Sequence, residues 1–173
     1  MIEPLVVLEP VARDQAFVLA NLFELYVHDF SEQVPIDLKP NGRFDLPVDE
    51  RWWSSGDHFP FFIRADGKLC GFALARRGSR VTAAADVLDV AEFFVVRGSR
   101  GQGVGKAAAR ALLTALPGAW EIRVRQTNVA AASFWRKVAA SLVGEAVTVT
   151  TFSSAGVAWE VLRLASAVPH VSQ

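Results

Sequence analysis

Cysteine is almost absent from this sequence, and neither sign of charge is in excess. Cys70 is the only cysteine, so no disulfide can form within the chain, and a reducing compartment is expected. The 18 lysines and arginines balance the 18 aspartates and glutamates, which leaves a formal net charge of zero. Overall charge therefore gives no reason to expect nucleic acid or a membrane surface as a partner, and any basic site must be local.

Long apolar runs and recognisable targeting segments are missing as well. No stretch approaches the roughly 18 unbroken apolar residues of a membrane-spanning helix. The N-terminal sequence has an early Glu3, no cationic start and too short an apolar run for a signal peptide. The three histidines and one cysteine show no metal-ligand spacing. We therefore expect a cytoplasmic protein, a monomer or homodimer, with no metal, no nucleic-acid partner and no membrane partner.

What the sequence does contain is the composition and patterning of one α/β domain. A chain of 173 residues that is 51% hydrophobic can bury a substantial core. Periodicity predicts a single domain over 1–173, with a mixed sheet of about six or seven strands, about four flanking helices and a poorly defined tail from about 166. The predicted strands cover 5–8, 59–65, 69–77, 87–96, 120–126, 146–152 and 157–164, and the predicted helices cover 13–29, a short segment after Asp49, 104 up to Pro117, and 130–140.

A glycine-rich turn surrounded by cations joins the predicted strand at 87–96 to the following helix. The glycines are Gly98, Gly101, Gly103 and Gly105, and the cations are Arg97, Arg100, Lys106 and Arg110. Glycine allows positive φ and lets a ligand approach the main chain closely. A helix N-terminus adds unpaired N–H groups and a partial positive charge. This combination predicts a site for a diphosphate group.

Other glycine motifs fit this turn less well. A Walker A loop is excluded because Arg100 stands where that motif needs glycine and Ala107 stands where it needs serine or threonine. The stretch "GVGKAA" does match the G-x-G-x-x-A fingerprint of dinucleotide-binding proteins. Only one parallel crossover is evident, however, and no acidic residue ends the next strand. A dinucleotide-dependent redox protein and a plain connection without a ligand therefore stay open as alternatives.

Two segments resemble motifs of the GNAT N-acetyltransferase superfamily. "RGQGVG" (100–105) is similar to its R/Q-x-x-G-x-G/A element, and "NVAAASFWRK" (128–137) is similar to its Asn-x-x-A-x-x-F-Y/W-x-K segment. The order of the predicted elements also resembles a GNAT domain over nearly the whole chain. The resemblance implies transfer of an acetyl group from acetyl-CoA, as cosubstrate, to a primary amine of a small molecule or peptide.

The same resemblance implies which residues bind acetyl-CoA. Main-chain amides of residues 102–106 would hold the pyrophosphate, and the end of the preceding strand would pair with the pantetheine arm as a peptide would. That strand and the next would splay apart to admit the cosubstrate. The implied contacts are Phe94, Val95, Val96, Arg100, Gly101, Gln102, Gly103, Val104, Gly105, Lys106, Asn128 and Phe134.

Glu92 is the candidate general base. Strand alternation places Glu92, Phe94 and Val96 on one face and Ala91, Phe93 and Val95 on the other. A carboxylate among phenylalanines is partly desolvated, which raises its pKa toward a range useful for catalysis. A main-chain N–H near Phe94 or Val95 could stabilise the oxyanion. The alternative is a structural glutamate that pairs with Arg123 or Arg125 on the adjacent strand.

The general acid has no candidate of comparable strength. Many GNAT enzymes carry a tyrosine at the position of Trp135, and an indole N–H is a poor proton donor. Tyr26, the only tyrosine, belongs to the first predicted helix. Water, Ser133 or no dedicated acid are the open choices. A non-catalytic acyl-CoA-binding or sensing module is therefore the alternative function.

The acceptor site has only weak signals in the sequence. His28 and Asp29 fit a helix cap better than an acid–base pair. The acidic residues between 29 and 50 outnumber the basic ones, which suits either a cationic amine or a solvated loop. An aromatic cluster near the end of this region is predicted to be core, and its members are Trp52, Trp53, Phe59, Phe61 and Phe62.

Overall fold

Seven strands form one mixed sheet in the computed structural model, which describes residues 3–165. Their bounds are Val6–Pro10 (β1), His58–Ala65 (β2), Lys68–Arg77 (β3), Leu88–Val95 (β4), Trp120–Arg125 (β5), Thr148–Ser154 (β6) and Val157–Leu164 (β7). The strand order is β1-β2-β3-β4-β5-β7-β6, and every neighbouring pair is antiparallel except β4 and β5. The mixed sheet predicted from the sequence is confirmed, and the predicted tail from about 166 lies outside the described residues.

Four α-helices flank this sheet within residues 3–165, as predicted. Their bounds are Ala16–Phe30 (α1), Arg51–Ser54 (α2), Val104–Ala115 (α3) and Val129–Val143 (α4). Helix α4 runs longer than predicted and ends at Gly144, whose φ of 60° suits glycine at a helix C-terminus. The last hairpin consequently begins at Thr148, two residues later than predicted. None of these helices is long and apolar enough to cross a bilayer.

The sheet separates two hydrophobic cores because alternate strand residues face opposite sides. Ile63 and Ala73 are fully buried on the side covered by α3 and α4. Phe62 and Phe72 are buried on the opposite side, which α1 and α2 cover. The predicted aromatic core is largely confirmed: Trp52 and Phe62 are buried, whereas Trp53, Phe59 and Phe61 are partly buried and pack against the cores.

Strands β4 and β5 pair over three residues only and then separate. Residues 88–90 pair with 120–122, after which β5 continues its pairing with β7 alone. The edge of β4 that follows Val90 therefore faces a gap in the sheet. The splayed pair that the resemblance implied lies at the position expected.

A β-bulge at Ala91 changes the strand alternation at this gap. Opposite β3, Ala75 pairs with Val90 and Leu74 pairs with Glu92, so Ala91 is the extra residue. Ala91 packs with the α1-side core, on the same side as Glu92, rather than with Phe93 as predicted. The prediction for Ala91 is therefore wrong, because simple alternation does not anticipate an inserted residue.

Candidate active site

The start of α3 presents main-chain N–H groups that have no partner inside the helix. The Ala107 N–H donates to the Gly103 carbonyl oxygen (3.0 Å), which leaves the N–H groups of Val104, Gly105 and Lys106 without a helical acceptor. Gly103 has a φ of 85°, and no side chain caps this terminus. The terminus also carries the positive end of the helix dipole. These features fit a diphosphate, as the sequence predicted.

Ion pairs occupy two of the four cations around this turn. Arg100 donates to Asp29 (2.5 Å) and Arg97 donates to both Asp29 (2.9 Å) and Glu32 (3.1 Å). Lys106 has no ion pair among the residues that the structure describes. Arg97 and Arg100 therefore share their charge with carboxylates, whereas the free N–H groups of the turn and Lys106 do not.

Asp29 links α1 to the glycine-rich turn and does not act as a local cap with His28. Its side chain is 19% exposed. Partial burial acts to raise the pKa of Asp29, but hydrogen bonds from Arg100 and Arg97 outweigh it and hold that pKa below the ordinary value. The His28 Nδ1 lies 3.8 Å from the Asp29 carboxylate and its ring is mostly exposed. The sequence-based choice of a cap for this pair is therefore wrong.

A cavity of about 600 Å³ extends from the α3 N-terminus to the gap between β4 and β5. Nine of the predicted acetyl-CoA contacts line it, namely Phe94, Val95, Arg100, Gly101, Gly103, Gly105, Lys106, Asn128 and Phe134. Val96, Gln102 and Val104 do not contribute to its lining. The Val104 side chain is buried in the core, and the Gln102 side chain donates to the Gly98 carbonyl oxygen (2.8 Å). Only the main chain of these two residues can face a ligand at the turn.

The free edge of β4 offers main-chain groups to the same cavity. The Val96 N–H donates to the Cys70 carbonyl oxygen (2.8 Å), so Val96 and, two residues earlier, Phe94 face β3. The alternation leaves the Val95 main chain facing the gap. The Val95 carbonyl oxygen accepts a hydrogen bond from Arg100 Nε (2.7 Å), and the Val95 N–H is directed to the open edge. Among the three predicted strand residues, Val95 is the one placed to pair with an extended ligand.

A second cavity of about 370 Å³ lies across the gap, on the α1 side of the sheet. Glu92 lines this cavity and not the first one. The two cavities share six lining residues: Tyr26, Phe30, Phe93, Asn128, Ala131 and Trp135. Asn128 is also the N-cap of α4, where its side-chain oxygen accepts from the Ala131 N–H (3.0 Å). The cavities therefore meet where β4 and β5 separate.

Glu92 is hydrogen-bonded to Tyr26 and not to an arginine. The Tyr26 hydroxyl donates to Glu92 Oε2 at 2.5 Å. Arg123 instead donates to Asp89 (3.0 and 3.1 Å), and Arg125 forms no ion pair within the described residues. Burial raises the pKa of Glu92, although the Tyr26 hydrogen bond and the charges of Arg76 and Arg123 act in the opposite direction. The predicted alternative of a Glu92–arginine pair is therefore wrong.

Tyr26 is the site residue that sequence reasoning missed. Burial, and then the neighbouring Glu92 carboxylate, raise the pKa of its hydroxyl. Its helical spacing with Leu19, Leu22 and Phe23 indicated a core position, and it does pack against Phe72 and Phe94. Only its hydroxyl group distinguishes it from its neighbours. No local pattern could have placed that hydroxyl beside Glu92.

Trp135 occupies the position where the resemblance led us to look for a tyrosine. It is 6% exposed and packs edge-on against Phe93 and Phe134, with ring centroids 5.2 and 5.1 Å apart. It lines both cavities as an apolar wall. Ser133, one of the candidate acids, lines neither. Within residues 3–165, no group of three or more His, Cys, Asp or Glu side chains is arranged to hold a metal ion.

Comparison with protein families gives a match over most of the chain. The model described as "Acetyltransferase (GNAT) family" matches residues 19–139, which include most of α1, the glycine-rich turn and most of α4. A comparison with curated proteins finds no match.

Solved structures with the same fold are distant in sequence. An acetyltransferase from Thermus thermophilus superposes with a TM-score of 0.69 at 17% identity, covering 95% of this chain and 100% of that one. The aminoglycoside acetyltransferase AAC(6')-Ib, in complex with coenzyme A, gives 0.68 at 11% identity, covering 93% and 95%. The ribosomal-protein-S18-alanine N-acetyltransferase from Escherichia coli gives 0.56 at 13% identity, covering 98% and 99%. These likenesses concern the fold.

Proposed function

This chain belongs to the GNAT acetyltransferase family, and on that premise we propose that it transfers the acetyl group of acetyl-CoA to a primary amine by direct attack. One observation carries the proposal: two cavities meet at the gap between β4 and β5. One of them leads to an uncapped helix N-terminus, and the other holds a partly buried carboxylate. A donor and an acceptor entering from opposite sides would meet at this gap.

The first cavity fits the donor. The N–H groups of Val104, Gly105 and Lys106 would bind the pyrophosphate, with the Lys106 ammonium as an additional cation. The Val95 N–H would pair with a pantetheine amide, or stabilise the oxyanion that forms on the thioester carbonyl. Asn128 and Phe134 would lie along the far wall. When bound there, acetyl-CoA supplies the activated acetyl group.

Glu92 would act as the general base on the acceptor side. Its carboxylate takes a proton from the acceptor ammonium, and the freed nitrogen lone pair then forms a bond to the thioester carbonyl carbon. The carbon–sulfur bond breaks as the carbonyl re-forms. The departing thiolate gains a proton that the amine nitrogen loses, which yields an amide, the CoA thiol and one proton held by Glu92. Water in the cavity can carry the proton to sulfur, so the step needs no dedicated acid.

Tyr26 would position the Glu92 carboxylate. Its hydroxyl donates to one carboxylate oxygen and leaves the other oxygen to face the acceptor.

The names of similar structures include amine acceptors of differing kinds: an aminoglycoside, a ribosomal-protein alanine and spermidine. They do not select one for this chain.

An acetylation screen tests the proposed function. Purified protein is incubated with acetyl-CoA and a panel of amino acids, polyamines, aminoglycosides and peptide N-termini, and released thiol and acetylated product are both measured. We expect turnover of at least one amine, and Glu92→Gln should lower kcat by about 10²–10⁴-fold. The CoA dissociation constant should stay within about two-fold, because Glu92 lines the other cavity.

Two other outcomes of this screen would contradict parts of the proposed function. Tight CoA binding without turnover of any amine would favour a non-catalytic acyl-CoA-binding module. Unchanged turnover by Glu92→Gln would remove Glu92 from the mechanism.

A further inference from the structure

The cavity on the acceptor side is lined by more positive than negative charge. Its charged lining residues are three arginines and one glutamate, namely Arg76, Arg123, Arg125 and Glu92. The acidic residues that the sequence offered for a cationic amine lie elsewhere. Asp29 pairs with Arg97 and Arg100, and Asp49 pairs with Arg51. An acceptor with several positive charges is therefore not what this cavity favours.

Two of the three arginines share one carboxylate. Arg76 donates to Asp89 at 2.7 Å, and Arg123 donates to both oxygens of the same residue at 3.0 and 3.1 Å. Asp89 is fully buried and does not line the cavity. One carboxylate therefore compensates two guanidinium groups. The surplus positive charge faces the cavity opposite Glu92.

Arg125 has no carboxylate partner at all among the described residues. Its guanidinium lies between two aromatic rings, 5.5 Å from the centroid of Phe30 and 5.3 Å from that of Trp159. Its Nε is buried and has no hydrogen-bond acceptor. Buried polar groups in folded proteins nearly always have partners, and Arg is the cation best suited to a planar anion. An unpaired guanidinium at a cavity wall, close to two aromatic rings, indicates a place for an anionic ligand.

Arg125 is connected to the proposed general base, Glu92, through the side chains of Phe30 and Tyr26. Phe30 lies one turn of α1 beyond Tyr26, and the two rings stack with centroids 5.6 Å apart. Tyr26 is the residue whose hydroxyl holds Glu92. Arg125 and Glu92 also line the same cavity, so one small ligand would contact both. That arrangement suits an amine and an anionic group within one small molecule.

We propose that the acceptor is a small amine that carries a carboxylate, of the amino-acid type, and that Arg125 binds this carboxylate while the amine faces Glu92. The inference rests on the proposed function. The cavity of about 370 Å³ lies near the lower end of the range for small-molecule sites, which agrees with an acceptor of this size. Arg76 and Arg123, already engaged with Asp89, add positive potential to the same wall.

Matched amines test this proposal directly. Each α-amino acid is assayed beside the amine that lacks its carboxylate, such as phenylalanine beside phenethylamine, and kcat/KM is measured by thiol release. We expect the amino acid to be preferred by at least about 10-fold, the usual scale of a charge-assisted hydrogen bond. Arg125→Ala should reduce this preference to less than about three-fold, and Arg125→Lys should restore it in part.

A control variant and a binding measurement complete the test. Arg13→Ala removes an exposed arginine that precedes α1 and lies outside both cavities, and it should leave the preference unchanged. N-acetyl-phenylalanine should bind the CoA complex of the wild-type protein in calorimetry and bind the Arg125→Ala complex at least about 10-fold more weakly.

The outcomes separate this proposal from the proposed function. Turnover of amines without any preference for a carboxylate, or an undiminished preference in Arg125→Ala, would overturn the role of Arg125 and leave amine acetylation standing. Absence of turnover with every amine, despite CoA binding, would overturn both.

Discussion

Tyr26 and Glu92 are 66 positions apart in the sequence and form one hydrogen-bonded unit at the gap in the sheet. Neither residue alone has the properties required of a base. Burial raises the pKa of Glu92, and the hydrogen bond from Tyr26 limits that rise. The bulge at Ala91 also contributes, because it lets Val90 pack on the α3 side while Glu92 lines the cavity on the α1 side. A carboxylate more basic than that of an ordinary glutamate is the expected result.

The pH dependence of kcat/KM tests this pair. Glu92 acts in its deprotonated form, so activity should fall as pH falls through its raised pKa, above the ordinary range of a glutamate. Tyr26→Phe removes a hydrogen bond that lowers the Glu92 pKa. The acid limb of the profile should therefore move to higher pH in this variant, and it should disappear in Glu92→Gln.

The same acceptor amine is used for every variant in this measurement, so its own titration is common to all profiles. The CoA dissociation constant of Tyr26→Phe, measured by calorimetry, reports whether the donor cavity is intact. An acid limb that stays in place when Tyr26 is replaced would show that Tyr26 does not set the protonation of the base.

The first turn of α3 is the element on which donor binding depends. Its N–H groups are free because the N-cap residue is Gly103, which has no side chain to accept from them. The neighbouring arginines are bound to Asp29 and Glu32, so the element relies on main-chain donors and on Lys106. Such donors are fixed in direction before the ligand arrives. Precise main-chain geometry therefore matters more here than the number of cations.

A substitution at Gly103 tests this element, with Gly98 as the matched control. Gly103→Val forces a β-branched residue into a left-handed conformation at the mouth of the donor cavity, and CoA should bind at least about 10-fold more weakly. Gly98 has no positive φ, and a Cβ built there meets no atom within 4 Å. Gly98→Val should change the affinity less than about two-fold.

Both variants are measured by calorimetry and by thermal unfolding. Equal losses of affinity in the two variants, or an unchanged affinity in Gly103→Val with an intact fold, would contradict a phosphate site at this turn.

At the scale of the whole molecule, local patterns predicted the elements, whereas they did not predict how distant residues meet. The hairpin of β2 and β3 is joined by the two residues Asp66 and Gly67, a strong turn signal, and the apolar spacing after Val104 places the buried residues of α3 on one face. Nothing in the local sequence signals the bulge at Ala91 or the pairing of Asp29 with Arg100. They follow from how β4 packs against β3 and α1, so only the assembled fold reveals them.

The candidate site likewise has one part that the sequence predicted and one part that it did not. The glycine-rich turn was predictable because its chemistry is local: the strand end, the glycines and the helix start are consecutive in the chain. The acceptor cavity was not, since Tyr26, Arg125 and Trp159 come from three separate elements. The compartment and the oligomeric state stay predictions from the sequence.

The arrangement of the two cavities is tested most directly by a crystal structure of the protein with CoA. We predict that the pyrophosphate oxygens lie within hydrogen-bonding distance of the N–H groups of Val104, Gly105 and Lys106, and that the pantetheine runs along Val95. The sulfur should lie at the gap between β4 and β5, facing Glu92 across it. A CoA molecule bound away from the α3 N-terminus, or a sulfur directed away from the Glu92 cavity, would contradict the account.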